Sequence, residues 1–267
     1  MLLIDRNTRF SVAIKYQTSR PDRGTDTVAR FETTLIDSTT VAEGTMAFRF
    51  ARPAEFEFEA GQSITVSLID PPETDRKGNS RSFSLASAPC QTELVIATRM
   101  RDTAFKRSLK AMRAGGRIHL RGPAGKFTLD GADARPAVFL AGGIGITPFV
   151  SMSRQAAHSR LGRDLWLFYS NRRPEDAAFV DELLALPRAN PRYRFVGTMT
   201  EMEKSSRPWS GETGFLDRAM LERHLKDLSA LVYYAAGPPG LVETMQKMLV
   251  AAGVKDEAIR TDEFFGY

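Results

Sequence analysis

Two glycine-rich turns constrain this chain more than any other feature, because each directly follows a short apolar run. The first run, Ala137-Val-Phe-Leu-Ala141, leads into Gly142-Gly-Ile-Gly-Ile-Thr-Pro148. The second, Leu231-Val-Tyr-Tyr-Ala235, leads into Ala236-Gly-Pro-Pro-Gly240. Apolar runs this short, bounded by turn residues, read as buried strands of a parallel sheet. Glycine at the carboxyl end of such a strand lets the backbone approach a phosphate closely, and a helix that begins at once points free N–H groups at it. Pro148 suits the first turn of that helix, where its missing N–H costs nothing. The first turn does not follow the G-x-G-x-x-G spacing, so its placement after a strand carries the inference.

The surrounding sequence divides into two textures. Leu165-Trp-Leu-Phe-Tyr169 and Arg194-Phe-Val-Gly197 read as two more buried strands. Helices are predicted from Thr147, over Glu175–Leu186, and from the second glycine turn to Ala252. Strands alternating with helices predict an α/β parallel-sheet domain over residues 133–267. The stretch from Phe31 to Leu129 is built differently. Phe48-Arg-Phe50, Phe56-Glu-Phe58, Ile64–Leu68 and Leu94–Ala97 alternate or cluster in short strand-like runs, punctuated by Gly61, Pro71-Pro72, Gly78-Asn79, Gly115-Gly116 and Gly122-Pro123. That pattern predicts an antiparallel β-barrel over residues 29–132, with one helix at Ala104–Ala114. The fold expected is therefore two-domain, with the boundary near Asp130–Arg135. Residues 1–28, which end in a polar stretch, are expected to form an N-terminal extension.

Composition excludes several classes of function. No apolar run approaches the ~20 residues of a membrane helix. The opening apolar stretch is too short for a secretion signal, so a cytoplasmic protein without membrane insertion is expected. Cys90 is the only cysteine of the 267 residues; this chain alone can form neither an internal disulfide nor a cluster held by about four thiolates. His119, His158 and His224 are scattered without ligand spacing, so no metal site is expected. The net charge of +5 favours anionic partners. Without basic runs or a finger pattern, nucleic acid is not among them.

The barrel half contributes a third segment, Arg81-Ser-Phe-Ser-Leu-Ala-Ser87. Arg81 offers a fork to a phosphate, Phe83 a flat face to a ring, and Ser84 a hydroxyl to a ring nitrogen. In this order the three segments resemble the ferredoxin–NADP reductase-like family of flavoenzymes, over Phe31 to Tyr267. Gly61-Gln62 is similar to the family's glycine–glutamine turn before a barrel strand. RSFS at 81–84 resembles the Arg-x-Tyr-Ser flavin segment, and GPAGKF at 122–127 the turn closing the barrel. GGIGITP resembles the pyrophosphate turn. Trp209, Gly211 and Gly214 match a W-x-G-x-x-G pattern, and AAGPPGLV resembles the Cys-Gly-Pro-Pro segment beside the nicotinamide.

The resemblance implies a flavin-binding barrel followed by an NAD(P)-binding domain. Arg81 would bind the flavin pyrophosphate, with Ser82 and Thr98 in the same flavin site. Phe83 would stack on the flavin, and Ser84 would bond near its reactive nitrogen. Gly143, Gly145 and Thr147 would cradle the dinucleotide, and Gly237 and Pro238 would line the nicotinamide. Glu263 would flank the flavin, and Tyr267 or Phe264 would cover the ring until the nicotinamide arrives. Ser84, Glu263 and Tyr267 are thus the expected catalytic residues. Three departures stand out: Ala236 replaces a cysteine common in the family, Thr103-Ala-Phe-Lys106 replaces Gly-x-x-Ser/Thr, and Phe83 replaces tyrosine.

Two expectations about cofactors come from the residues. A predicted helix N-terminus at Thr103–Ser108, carrying Lys106, can hold a second phosphate, which predicts FAD rather than FMN. Ser170, Arg172 and Arg173 after the second parallel strand suit a 2′-phosphate, which predicts NADP in preference to NAD. The expected activity is a flavoprotein reductase that takes a hydride from NAD(P)H on FAD. It would pass the electrons to a separate acceptor protein, small and acidic, such as ferredoxin, flavodoxin or an oxygenase component. The alternatives are a reductase of free flavin, quinone or metal chelate, and a non-enzymatic flavin-binding regulatory subunit.

Overall fold

A computed structural model describes residues 29–264. The expected extension 1–28 and Tyr267 lie outside the described residues. The first half has strands β1 (Arg30–Ala42), β2 (Thr45–Ala51), β3 (Ser63–Leu68), β4 (Ser80–Ser84), β5 (Glu93–Arg99) and β6 (Arg117–Ala124), with helix α1 (Ala104–Ala111) between the last two. The strands pair antiparallel in the order β4-β3-β6-β1-β2-β5. An isolated bridge between Leu85, just after β4, and Ile96 of β5 draws the two ends together into a barrel-like domain.

Alternation fills the barrel. Ile64, Val66 and Leu68 of β3, Ile118 and Leu120 of β6, and Leu94 and Ile96 of β5 are all buried in one core. α1 contributes Phe105 and Leu109 to it. Thr103 caps α1 by accepting the Lys106 N–H at 3.3 Å; the helix ends at Ala111, three residues before the predicted limit. The predicted strand Phe56-Glu57-Phe58 joins no ladder, although its alternation governs burial: both rings lie in the core while Glu57 is exposed.

The second half has strands β7 (Ala137–Gly142), β8 (Leu165–Asn171), β9 (Tyr193–Met199), β10 (Glu212–Thr213), β11 (Val232–Gly237) and β12 (Ile259–Glu263). All pair parallel, in the order β10-β9-β8-β7-β11-β12. Helices α2 (Thr147–His158) and α3 (Val180–Ala185) cover one face, and α4 (Arg218–His224) and α5 (Pro239–Ala251) the other. β7 shows why its sequence is continuously apolar: Ala137, Phe139 and Ala141 enter one core, Val138 and Leu140 the other. The helix predicted over Glu175–Leu186 is shorter than expected. A 3₁₀ turn occupies Pro174–Asp176, and Phe179 at φ +60° precedes α3. Asp176 lies in that turn, outside α3, with its carboxylate buried among arginines.

Strand order reverses between β7 and β11, the switch point at which open α/β sheets bind ligands. Both glycine turns sit there. The domains meet along α2, where the Ser151 hydroxyl donates to the Ser87 carbonyl at 2.6 Å and Arg154 to that of Ala86 at 2.9 Å. Within the barrel, Gly61 packs on the Phe127 carbonyl so closely that a Cβ would lie 2.2 Å from it, and 2.4 Å from the Met152 side chain of α2 in the other half. Gln62 reinforces this turn, taking the Glu59 N–H at 2.8 Å and donating to Gly125 at 3.2 Å. Among the described residues no helix is long and apolar enough to cross a membrane, and no cluster could hold a metal ion.

Candidate active site at the domain seam

A cavity of about 420 Å³ opens between the barrel and the parallel sheet. β4 supplies Arg81, Ser82, Phe83 and Ser84 to its wall, β5 Thr98, and α1 Lys106. The other domain supplies Ile144, Thr147, Asp262, Glu263 and Phe264. Most of the expected flavin residues, 25 or fewer apart along the barrel, thus share one wall. Another cavity of about 470 Å³ lies elsewhere along the seam, around Met152, Gln155 and Arg163. It contains none of the expected site residues.

Arg81 is held in place by its surroundings. Its guanidinium donates to both Asp75 oxygens at 3.0 and 3.2 Å, and to the carbonyls of Lys77, Gly78 and Ser80. Phe105, an α1 ring that the sequence reading did not single out, supports two site residues. Arg81 lies 5.1 Å over it and the Phe83 ring is 5.9 Å away. Lys106 is partly buried, and its Nζ donates to the Arg99 carbonyl at 2.6 Å. Burial pushes its pKa down to about 8, helped by the charges of Arg101 and Arg81. A lysine held among cations, with no carboxylate paired to it among the described residues, suits an anion such as a diphosphate.

The glycines divide into two kinds. Gly143 has φ +53° and nothing within 4 Å of its Cβ direction, so its backbone is open to a ligand. Gly145 is buried, and a Cβ there would meet the Ala236 carbonyl oxygen at 2.4 Å. It lets the first glycine turn pack on β11 and does not itself face the cavity. Gly237, at φ +150°, faces Gly142 across the switch point, where a Cβ would lie 3.0 Å from the Gly142 carbonyl. Pro238 follows as the residue before α5. Thr147 is 1% exposed and bonds back to the Ile144 carbonyl at 3.2 Å.

At the end of β12 the structure brings in a residue that the sequence reading passed over. Asp262 is half-buried and lines the cavity together with its exposed neighbour Glu263. Burial pushes the Asp262 carboxyl up to about 6. Because its folded pKa lies above the unfolded value of ~3.9, the folded state holds the extra proton between those values, and stability falls as pH rises through them. Asp262→Asn removes this dependence. The melting temperature of the variant minus that of the wild type is expected to grow from pH 4 to pH 7, and a constant difference would contradict the assignment. Phe264 lines the cavity and packs in a seam cluster with Ala97 and Ile144.

The coenzyme end is less open than expected. Ser170 pairs with Gly142 at the end of β8. Arg173, expected to be available for a phosphate, donates to Asp176 at 3.1 Å and to Glu43 of the barrel at 2.8 Å. Arg172 is half-exposed and shares Asp176 at 3.3 Å. Trp209, Gly211 and Gly197 form a packing unit, in which a Cβ on either glycine would enter the indole.

Comparison with known proteins agrees with this architecture. Residues 139–247 match the model of the oxidoreductase NAD-binding domain. The chain is 28% identical over 225 residues to the glycine betaine monooxygenase reductase subunit of Chromohalobacter salexigens, covering 83% of this chain and 60% of that one. It is 31% identical over 196 residues to ferredoxin–NADP reductase B of Sorangium cellulosum, covering 73% of this chain and 75% of that one. The structure of a ferredoxin–NADP⁺ reductase from Neisseria gonorrhoeae with bound FAD and NADP superposes with a TM-score of 0.74 at 22% identity, over 88% of this chain and 99% of that one. The chain therefore belongs to the ferredoxin–NADP reductase-like family of FAD- and NAD(P)-dependent oxidoreductases.

Proposed function

We propose that this chain moves a hydride from NAD(P)H to FAD held in the seam cavity and delivers the electrons to a separate carrier, small and acidic, or to an oxygenase component. The observation that supports this reading is the cavity itself, lined by Arg81, Phe83, Ser84 and Lys106 from the barrel and by Ile144 and Thr147 of the first glycine turn from the parallel sheet. Bound FAD supplies the redox chemistry, taking a hydride and releasing electrons singly. Arg81 and Lys106 hold the diphosphate, Phe83 takes the ring face, and Ser84 and Thr98 offer hydroxyls along the cavity wall. Gly143 and Gly237 let the protein backbone approach the coenzyme's phosphates at the switch point, and Phe264 lines the cavity from the nucleotide domain. Glu263 stands at the rim, while half-buried Asp262 can hold or release a proton beside the cavity.

The acceptor follows from charge and cysteine content. Arg76, Lys77, Arg101 and Lys110 are exposed and form no ion pair among the described residues. Lys77 lies at the cavity itself. An acidic carrier would be drawn to such a surface at a rate that falls with ionic strength. The single cysteine of these 267 residues cannot hold an iron–sulfur cluster, so the one-electron centre lies outside them. The test is NAD(P)H-driven reduction of a ferredoxin compared with ferricyanide. The ferredoxin rate is expected to fall with added salt much more steeply than the ferricyanide rate, because a protein carrier presents many charges to the surface and ferricyanide few. Equal salt dependence, or reduction of ferricyanide alone, would argue against an acidic carrier.

A further inference from the structure

We propose that Asp176 is a positioning residue that sets coenzyme choice, holding Arg172 and Arg173 in a network shared with the barrel and so withholding them from the phosphate that distinguishes NADP from NAD. This inference rests on the reading above that the coenzyme binds at the ends of β7 and β8. In a sheet of this type the residues after the second strand face the adenosine ribose, and a nearby arginine accommodates a 2′-phosphate. Two adjacent arginines there would, on their own, select that phosphate strongly.

The structure shows where those cations go. The Asp176 side chain is 3% exposed and is approached by Arg173 at 3.1 Å, Arg172 at 3.3 Å and Arg99 at 3.5 Å. Burial by itself would push its carboxyl up, but Arg173, Arg172 and Arg99 together hold it below the ordinary value. Arg173 is bound a second time, by Glu43, whose own N–H donates to the Glu175 carbonyl at 2.7 Å. Arg99 and Glu43 belong to the barrel, so the loop after β8 is tied to the flavin half at both ends of the network. Three arginines share two carboxylates, and only Arg172 keeps a half-exposed side chain, at 53%. The wild-type protein therefore discriminates weakly between the two coenzymes, and the carboxylates that surround the arginines set how weakly.

The experiment measures NADP⁺ and NAD⁺ affinities by calorimetry on the FAD-loaded protein. Asp176→Asn and Glu43→Gln are each expected to raise the ratio of NADP⁺ to NAD⁺ affinity about fivefold, the size of one partly exposed charge contact. Replacing both Arg172 and Arg173 by alanine should abolish those shifts, because the carboxylates then have no arginine to release. Removing Asp176 leaves three cations close together in a buried place, so that variant can fail to fold. Arg99→Gln then takes its place: it leaves Asp176 more fully engaged with Arg172 and Arg173, and the ratio should fall. A ratio that changes by less than about twofold overturns the proposal. So does equal weakening of both coenzymes, or a shift that persists without the arginines and is thus only long-range charge. If the wild type binds neither coenzyme, the reading of the site fails and the proposal with it, an outcome distinct from binding with an unmoved ratio.

Discussion

Replacing Gly145 by alanine is expected to destabilise the nucleotide domain by about 3 kcal/mol, well beyond an ordinary glycine-to-alanine change. The added Cβ would lie 2.4 Å from the Ala236 carbonyl oxygen and 2.5 Å from the Gly237 Cα. Those are backbone atoms of β11, the strand that pairs with β7 residue by residue from Val232–Ala137 to Ala236–Ala141. No side chain can rotate away to make room, so relief requires separating the two central strands or unwinding the turn at Gly143–Ile146. Gly143→Ala supplies the comparison. Its Cβ would enter open space, and the cost is only the ~1–2 kcal/mol of a left-handed conformation at φ +53°. Chemical denaturation should therefore rank Gly145→Ala well below Gly143→Ala in stability, while Gly143→Ala loses the more coenzyme affinity among variants that fold. The reverse order would mean that the two glycines have been assigned the wrong roles.

Arg81→Ala is expected to weaken FAD binding roughly 30-fold, within the range for one charge-assisted contact to a phosphate. Its Nη1 and Nη2 are held by three carbonyls and Asp75, so it meets a phosphate as a fixed positive charge and little ordering entropy is lost on binding. Arg81→Lys keeps the charge without the fork and should recover only part of the affinity. Lys106 adds a pH signature. Its pKa near 8 means that the charge which attracts a diphosphate is lost as pH rises through that value. FAD affinity should decline above about pH 8 in the wild type and lose that decline in Lys106→Met. Lys106→Met should also cost more with FAD than with FMN, which has no second phosphate. Fluorescence titration with each flavin reads all of these effects, and equal losses for FAD and FMN would detach Lys106 from the second phosphate.

The parts of this fold that were legible in the sequence are those with a local cause. Glycine turns after apolar runs placed the switch point because a strand, a turn and a helix start follow one another within a few residues. The alternation in β3 and β5 gave the barrel because period two is a property of neighbours. What escaped was decided at long range. Arg173 reads as a free cation until the fold brings Glu43, 130 residues away, against it. Asp176 reads as an ordinary residue in a helix, and only the interface shows that it is buried. Asp262 and Glu263 are adjacent acids on one strand that both line the cavity, but alternation half-buries one and leaves the other exposed. The pairing of Asp262 with Ala236 and of Glu263 with Gly237 decides which, and no local pattern encodes that register. Phe105 escapes for a related reason: it supports Arg81 and Phe83 from a helix that only the tertiary fold brings against β4.

The central claim is that the seam cavity holds a flavin against a bound nicotinamide. Its most direct test is an absorbance titration of the FAD-loaded protein under anaerobic conditions, with NADPH and NADH added in turn. The account predicts that either coenzyme bleaches the visible bands of the flavin stoichiometrically, and that adding ferricyanide restores them. A protein that binds FAD tightly yet leaves those bands unchanged with both coenzymes would contradict it.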